Sequence, residues 1–320
     1  MKKTNLGPSS RALPMNKQKV LVVGGGGFIG RHVIARLLAA DAEVSILDKS
    51  VPDEMLSRLN CSIGSVSDST LVAASVAGHD SVIYLAANSL PGSGFAGLSS
   101  EIHDHVEVAV RAAEISAAAG VKRFVFAGSG GTAYGYGGEI ALREDMPPAP
   151  INAYGVSKLA IEHYLRLISR SRGMATTTLR ISNPYGEGQN ARRGQGVIAA
   201  AMEHALKGTT MQIWGDGSVA RDFIHVADVA EAFAAACSVP NPPDLVNIGS
   251  GEATSLLTII RKVEKATQST ISVEFEPSRS VDVQVNKLDI SQANETLGWS
   301  PNVSLPEGLA RTARWWQDNM

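Results

Sequence analysis

Cysteine is scarce in this chain of 320 residues: Cys61 and Cys237 are its only two. They have neither metal-ligand spacing nor enough partners for a disulfide framework, so both read as packing residues in a reducing compartment. Long apolar runs are also missing. No uninterrupted stretch approaches the ~20 residues that span a bilayer, so no membrane segment is expected. Nor is there an excess of charge of one sign: Lys plus Arg total 29 against 31 for Asp plus Glu, a net charge of -2. That balance excludes a global basic field for nucleic acid, and partners are expected among small molecules and other subunits. Residues 1–18 start with positive charge but lack the apolar core of a signal peptide. A disordered leader on a soluble, cytoplasmic protein is the expectation.

What the chain does have is a hydrophobic fraction of 44%, enough for a substantial core, and a repeating order of elements. Lys19 to Val23 is a short β-branched run that ends in glycines, and a helical pattern follows from Phe28 to about Ala40. Further strands are expected near Glu43 to Leu47, Ser81 to Leu85, Arg123 to Ala127 and Thr176 to Leu179, with helical segments between them. Repeated β-α-β order implies an α/β fold of the doubly wound, Rossmann type, with helices on both faces of a parallel sheet. After Pro184 the character changes. A helix is expected over Val197 to Lys207, a strand over Met211 to Trp214, a helix over Val226 to Ala236, and a buried strand at Leu245 to Ile248 that can return to the main sheet. The expected division is a dinucleotide-binding domain of residues 19–180 plus about 218–250. A smaller mixed α/β substrate lobe takes about 181–217 plus 251–320.

Gly24-Gly25-Gly26-Gly27-Phe28-Ile29-Gly30 sits after the first strand and at the mouth of the first helix. Missing side chains let a backbone approach a pyrophosphate there, and free N–H groups with the helix dipole stabilise its charge. Asp48 ends the second strand at about the expected ~20-residue distance. Its carboxylate can accept hydrogen bonds from an adenosine ribose and would repel a 2′-phosphate, which favours NAD over NADP. Farther along, Tyr154 and Lys158 lie four residues apart in a helical segment, which puts phenol and ammonium on one face. A phenol titrates near ~10 and is a poor base at neutral pH unless a cation stabilises its phenolate. Lys158 can be that cation. His103 and His105 are two apart and point to different faces of a helix, so no metal site is expected.

With its glycine turn and Tyr154/Lys158, the chain resembles the extended short-chain dehydrogenase/reductase superfamily. Within that superfamily it is most similar to the NAD-dependent nucleotide-sugar epimerases typified by UDP-glucose 4-epimerase. The resemblance runs from about Lys19 to Trp316. It includes Leu85-Ala86-Ala87, Ser129 to Gly135, Arg180 to Gly186, Gly215-Asp216-Gly217, Arg221-Asp222-Phe223, Asn247 to Gly251 and Leu297-Gly298-Trp299. It implies that Tyr154 is the base, that Lys158 binds the nicotinamide ribose and lowers the phenol pKa, and that a hydroxyl assists the sugar. Ser129 is the favoured hydroxyl and Thr132 the reserve. Gly24, Gly27, Phe28, Ile29, Gly30, Asp48, Ser65, Val66, Leu85, Ala86 and Ala87 join Tyr154 and Lys158 as the implied cofactor contacts. Ser65 stands where the family commonly has Asp, and His105 where it often has Asn.

On the substrate side, the resemblance implies that Arg221 and Arg279 contact the diphosphate or its ribose, a task that suits forked guanidinium donors. Asn183 is implied to bind near the phosphates or sugar, together with Ser129, Thr132 and Tyr154. Asn286 matches a position whose side-chain size sets the room for an N-acetyl group, and Asn is smaller than Tyr. Trp214 is either a wall for the base or a buried core residue. The implied reaction is inversion at C4 of a nucleotide-diphosphate sugar, UDP-linked by preference, through a transient 4-keto sugar. Relatives that eliminate water usually carry Asp-Glu immediately after the active-site Thr, whereas this chain has Gly130-Gly131. A 4-ketosugar reductase, which would keep Tyr154 and Lys158, is the alternative activity. A non-catalytic NAD-binding protein is the alternative from another class. The helical segments Glu101 to Ala119 and Tyr154 to Arg170 resemble a dimerising pair, so a homodimer is expected, and polysaccharide biosynthesis is the family's usual setting.

Overall fold

The computed structural model describes residues 15–87, 98–135, 138, 140–191, 196–278 and 283–320. Arg279, Arg192 and Arg193 therefore lie outside the described residues. Strands in chain order are β1 (Lys19–Val23), β2 (Glu43–Asp48), β3 (Asn60–Ile63), β4 (Ser81–Tyr84), β5 (Arg123–Ser129), β6 (Ala175–Ile181), β7 (Asn183–Tyr185), β8 (Met211–Trp214), β9 (Ala220–His225), β10 (Leu245–Ile248), β11 (Ala253–Ser255), β12 (Val273–Glu276) and β13 (Val285–Asn286). Helices are α1 (Phe28–Ala39), α2 (Asp53–Leu56), α3 (Ser69–Val76), α4 (Leu98–Glu101), α5 (Val108–Ala118), α6 (Ala153–Arg172), α7 (Val197–Lys207), α8 (Val226–Ser238), α9 (Leu256–Thr267), α10 (Ser291–Leu297) and α11 (Leu305–Asn319). A π-helical turn, Ile102–Glu107, joins α4 to α5.

Seven strands form a parallel sheet in the order β10-β6-β5-β4-β1-β2-β3, the doubly wound arrangement expected. Strand order reverses beside β1, which lies between β4 and β2. A crevice at such a switch point, beyond the carboxyl ends of the strands, is where ligands bind in open sheets of this kind. The register shows why β1 reads as a continuous apolar run. Val20 and Val22 face one core with Val33, Ile34 and Leu37 of α1, while Leu21 and Val23 face another with Phe124, Phe126 and Ile161. Alternate residues point to opposite faces, and both faces are covered by helices. Burying each such side chain contributes roughly 1.5–3 kcal/mol. The returning strand is also where expected, with Val246 opposite Leu179.

A third apolar core gathers Met202 of α7, Ile213 of β8, Ile260 of α9 and Trp316 of α11. Above it, β9 pairs with β7, β11 and β13, so residues 220–225 belong to the smaller sheet, whereas α8 packs on α1 and β10 extends the large sheet. Residues 15–18, expected within a disordered leader, pack onto the fold instead. Met15 is buried, its N–H donates to Ala40 O at 2.9 Å, and Gln18 Nε2 donates to Ser81 Oγ at 2.8 Å. Met15 is an apolar anchor that closes the end of α1, and its burial offsets the entropy of ordering those residues.

Two buried carboxylates stitch these layers. Asp222, fully buried on β9, accepts from Ser182 Oγ (3.2 Å), Ser250 N (2.7 Å) and Oγ (2.8 Å), Gly251 N (3.2 Å) and Leu288 N (3.3 Å). These donors come from the turns after β6 and β10 and from the segment after β13. Glu162 of α6 holds Arg180 of β6 by two bonds, Nε to Oε2 at 3.0 Å and Nη2 to Oε1 at 2.9 Å. Arg180 in turn lies over the Tyr134 ring, 4.6 Å from its centroid, and Tyr134 Oη donates to Asn247 Oδ1 at 2.7 Å. Removing one member of such a set leaves buried groups unsatisfied. Asp222→Asn turns one acceptor into a donor aimed at other donors. It should lower unfolding free energy by about 2–4 kcal/mol, read as a lower urea midpoint. An unchanged midpoint would show that these bonds are replaceable by water.

Candidate active site

Four loops at the carboxyl ends of β1, β4, β5 and β6 converge on the crevice. Gly24 begins the first at φ 86°, in the left-handed region that glycine tolerates, and its N–H donates to Leu47 O at 2.8 Å. A Cβ on Gly24 would stand 2.8 Å from Ala86 N, and one on Gly30 would stand 2.4 Å from Gly24 O. The glycines thus bring the turn against Leu85-Ala86 and fold it onto α1. Helix α1 then starts at Phe28-Ile29 with no side-chain cap and no acidic residue in its first turn, so its N–H groups and positive dipole end are left for an anion. At Gly27 an added Cβ would stand 3.3 Å from Gly24 O, a tight contact with the turn's own backbone.

Asp48 comes to the same turn from the end of β2. Its Oδ2 accepts from Gly26 N at 2.9 Å and its Oδ1 from Ser50 N at 3.3 Å. The carboxylate therefore stands beside the glycine turn. Such a cradle, with backbone donors, no intruding Cβ and a carboxylate at its rim, fits a dinucleotide. Ser65 and Val66 follow β3, at the sheet edge beyond β2. Ser65 Oγ is paired with Ser67 Oγ at 2.7 Å, and Val66 packs on the core beneath.

Helix α6 carries the titratable pair. Asn152 caps it by accepting from Gly155 N at 2.8 Å, and Gly173, at φ 72°, ends it. Tyr154 and Lys158 lie one turn apart as expected, with Lys158 Nζ 5.4 Å from the Tyr154 ring centroid and 4.7 Å from that of Phe126. The ammonium is buried and donates to Ala127 O at 2.9 Å. Burial pushes Lys158 down to about 7 against an opposing pull from Glu101. Burial also raises the Tyr154 phenol well above its ordinary value, and the Glu101 charge adds to that. Burial here thus disfavours both charged forms, and positive charge next to the phenol would favour the phenolate.

Ser129 ends β5 and Thr132 lies in the turn beyond. The two hydroxyls meet, with Thr132 Oγ1 donating to Ser129 Oγ at 2.8 Å. This leaves the Ser129 hydroxyl hydrogen available to another acceptor, with Thr132 as its support. Gly155 permits the approach of this turn to α6, because a Cβ there would stand 2.7 Å from Thr132 O.

Across the crevice, Asn183 Nδ2 donates to Asp222 O at 2.9 Å, and its side chain borders Gly131. Asn286 is fully buried on β13 and donates to Gly130 O at 3.2 Å, so it touches the Ser129 turn from behind. Arg221 is turned toward the backbone carbonyls of Ala220 and Val283 rather than standing extended. Trp214 is 43% exposed at the end of β8, which rules out a core role. The buried tryptophans are Trp316 of the third core and Trp299, whose Nε1 donates to Asp228 O at 3.0 Å.

Three features escaped the reading of the sequence. Asp222 lies in Arg221-Asp222-Phe223, yet its role as an acceptor hub depends on distant loops. Arg180 with Glu162 looks like ordinary charge until both are buried. Glu101 sits four residues before His105, a spacing that could have flagged the pair: His105 Nδ1 is 3.4 Å from Glu101 Oε2, and both are buried. His103, by contrast, faces outward toward Glu107, as the two-residue spacing requires.

The depressed Lys158 pKa has a consequence for folding. Its folded value of about 7 lies below its ordinary 10.5, so between these values the unfolded chain binds more protons. Stability should then rise with pH across that window. Urea unfolding at about pH 7 and about pH 10 should show wild type gaining roughly 1–3 kcal/mol relative to Lys158→Met. Parallel pH dependences would show that Lys158 keeps its proton.

Comparison with known proteins matches this arrangement over nearly the whole chain. The UDP-glucose 4-epimerase of Mycolicibacterium smegmatis is 31% identical, over 94% of this chain and 99% of its own. The dTDP-4-dehydro-6-deoxyglucose reductase of Escherichia coli is 30% identical over 92% and 96%. The crystal structure of UDP-glucose 4-epimerase with UDP-glucose from Thermotoga maritima superimposes with a TM-score of 0.88, at 31% identity over 94% and 99%. Residues 20–249 match the model of the NAD dependent epimerase/dehydratase family, and the chain belongs to that family.

Proposed function

We propose that the protein is an NAD-dependent epimerase that inverts C4 of a nucleotide-diphosphate sugar, UDP-linked by preference. The observation that carries this reading is the placement of Tyr154 and Lys158 on one face of α6, with the first turn of that helix pressed against the Ser129–Thr132 turn. Gly24, Gly27, Phe28, Ile29, Gly30, Asp48, Leu85, Ala86 and Ala87 would hold NAD, with Ser65 and Val66 at the adenine side. NAD supplies reversible hydride acceptance. Tyr154 takes the proton of the sugar 4-hydroxyl as that carbon is oxidised, and returns it after the ketone has presented its other face. Lys158 stabilises the phenolate, and Ser129, supported by Thr132, orients the hydroxyl. Asn183, Arg221 and Arg279 would hold the nucleotide diphosphate, and remote binding of this kind keeps the ketone in place while it turns. Asn286, small and behind Gly130, leaves room for an N-acetyl group.

Residues 19–180 with 226–250 are proposed to form the cofactor domain, and the segments around 181–225 and 251–320 the substrate lobe. β9 is assigned to the lobe because it pairs only within the smaller sheet. A cytoplasmic place in polysaccharide precursor supply agrees with a nucleotide-sugar substrate. The similarity to an Escherichia coli ketosugar reductase favours a second reading, reduction of a nucleotide 4-ketosugar by the same pair. A homodimer is proposed through α6 and the segment before α5, whose outer faces expose Val156, Tyr164 and Leu167, and Leu98 and Ile102.

Incubation with UDP-, GDP- and dTDP-sugars without added cofactor, followed by NMR of the sugar ring, should reveal inversion at C4. Loss of a ketone only when reduced cofactor is supplied would favour the reductase. Tyr154→Phe should cut turnover about a thousandfold while the purified protein keeps its NAD. Full activity in that variant would remove Tyr154 from the chemistry. Light scattering should give a dimer for wild type and a monomer for Leu167→Glu, and a wild-type monomer at micromolar concentration would sink the proposed interface.

A further inference from the structure

Beside α6 lies a second buried ionisable pair to which the proposed chemistry gives no task. Glu101 ends α4 and His105 follows in the π-helical turn. His105 Nδ1 stands 3.4 Å from Glu101 Oε2. A carboxylate only accepts, so Nδ1 carries the hydrogen of the neutral ring. The imidazole packs against the Tyr154 ring with centroids 5.9 Å apart and planes inclined by 53°. Among the described residues, Glu101, Asp104 of the same turn and Lys158 of α6 are the charged groups that act on it. Burial and then the Lys158 charge push His105 down to about 4, so the ring is neutral at neutral pH. Glu101 acts on Lys158 in the opposite sense, pulling it up against burial.

We propose that Glu101 and His105 are positioning residues for Tyr154 and Lys158: Glu101 is the counter-charge of the Lys158 ammonium, and the imidazole it holds is the wall that fixes the Tyr154 ring. The inference rests on the reading of Tyr154 and Lys158 as the proton-transfer pair. An ammonium buried beside one carbonyl and two aromatic faces loses its proton readily, and a neutral amine gives a phenolate no support. Glu101 on α4, which holds the imidazole packed against the Tyr154 ring, counters that loss, although its charge also opposes the phenolate. A neutral ring against the phenol adds no second cation to repel the ammonium, and its packing restricts the phenol to one orientation.

The test is carbon NMR of lysine-labelled protein as purified, with the Lys158 signal assigned by its disappearance in Lys158→Met. Glu101→Gln should lower the Lys158 midpoint by about one pH unit and move the alkaline limb of kcat down with it. Glu101→Asp, which keeps the charge at a greater distance, should give a smaller shift of the same sign and serves if the amide variant does not fold. His105→Asn should lower kcat about tenfold and leave KM within about twofold, since orientation and not binding is lost. An unmoved Lys158 midpoint in folded Glu101→Gln, or wild-type kcat in His105→Asn, overturns the proposal. A shifted midpoint in a protein that turns over no nucleotide sugar supports the Glu101–Lys158 pairing and sinks the functional reading instead.

Discussion

The structure depends on a carboxylate that never meets solvent. Asp222 accepts hydrogen bonds from the turns after β6 and β10 and from the segment after β13, and its own carbonyl receives the Asn183 amide. Burial pushes its pKa up, while the donors around it pull it down. No salt bridge neutralises it among the described residues, so it is the number of directed donors that makes its burial tolerable. Because those donors come from the large sheet and from the smaller one, a single side chain sets how β9 sits above the ends of β6 and β10. Asn183, which donates to the Asp222 carbonyl, and the segment of β13 that carries Asn286 are placed by that setting.

The near wall obeys a different constraint. Tyr154 and Lys158 stand on a helix whose middle is anchored by Glu162 to Arg180 of β6, and whose first turn presses on the Ser129–Thr132 turn. This rigidity has an electrostatic cost, because the same packing that fixes Lys158 also strips it of water and lowers its pKa toward neutrality. A lysine poised near the working pH responds strongly to any charge placed nearby. The site is therefore tuned by groups that never need to touch a substrate.

Much of this was legible in the sequence because the signals were local. Lys19–Val23 followed by glycines and a helical run must be strand, turn and helix, and Tyr154/Lys158 at four-residue spacing must share a face. Leu245–Ile248 returned to the sheet as its apolar character required. Other features depend on residues distant in the chain. Asp222, Arg180 and Glu162 are charged, and a charged residue in a sequence reads as surface until its partners are known. Trp214 is exposed although large and aromatic, because β8 is covered on one side only and its alternation turns Met211 and Ile213 inward and Trp214 outward. Met15 was assigned to a leader by its neighbours' polarity, yet one apolar side chain over the end of α1 is enough to order the residues around it.

The glycines mark where the two walls and the floor were allowed to meet. A Cβ on Gly24 would strike Ala86 N, on Gly130 the Leu288 side chain, and on Gly155 Thr132 O. Each contact joins a different pair of segments around the crevice: the β1 turn to the β4 end, the β5 turn to the β13 segment, and α6 to the β5 turn. The neighbours at Gly24 and Gly155 are backbone atoms, which cannot turn aside as a flexible side chain can, so a methyl group there must separate two segments. The crevice is thus closed by main-chain contact, while its chemistry is supplied by side chains that stand on those segments. Side chains at the edge of the frame can vary, whereas a side chain gained at Gly24 or Gly155 moves the frame itself.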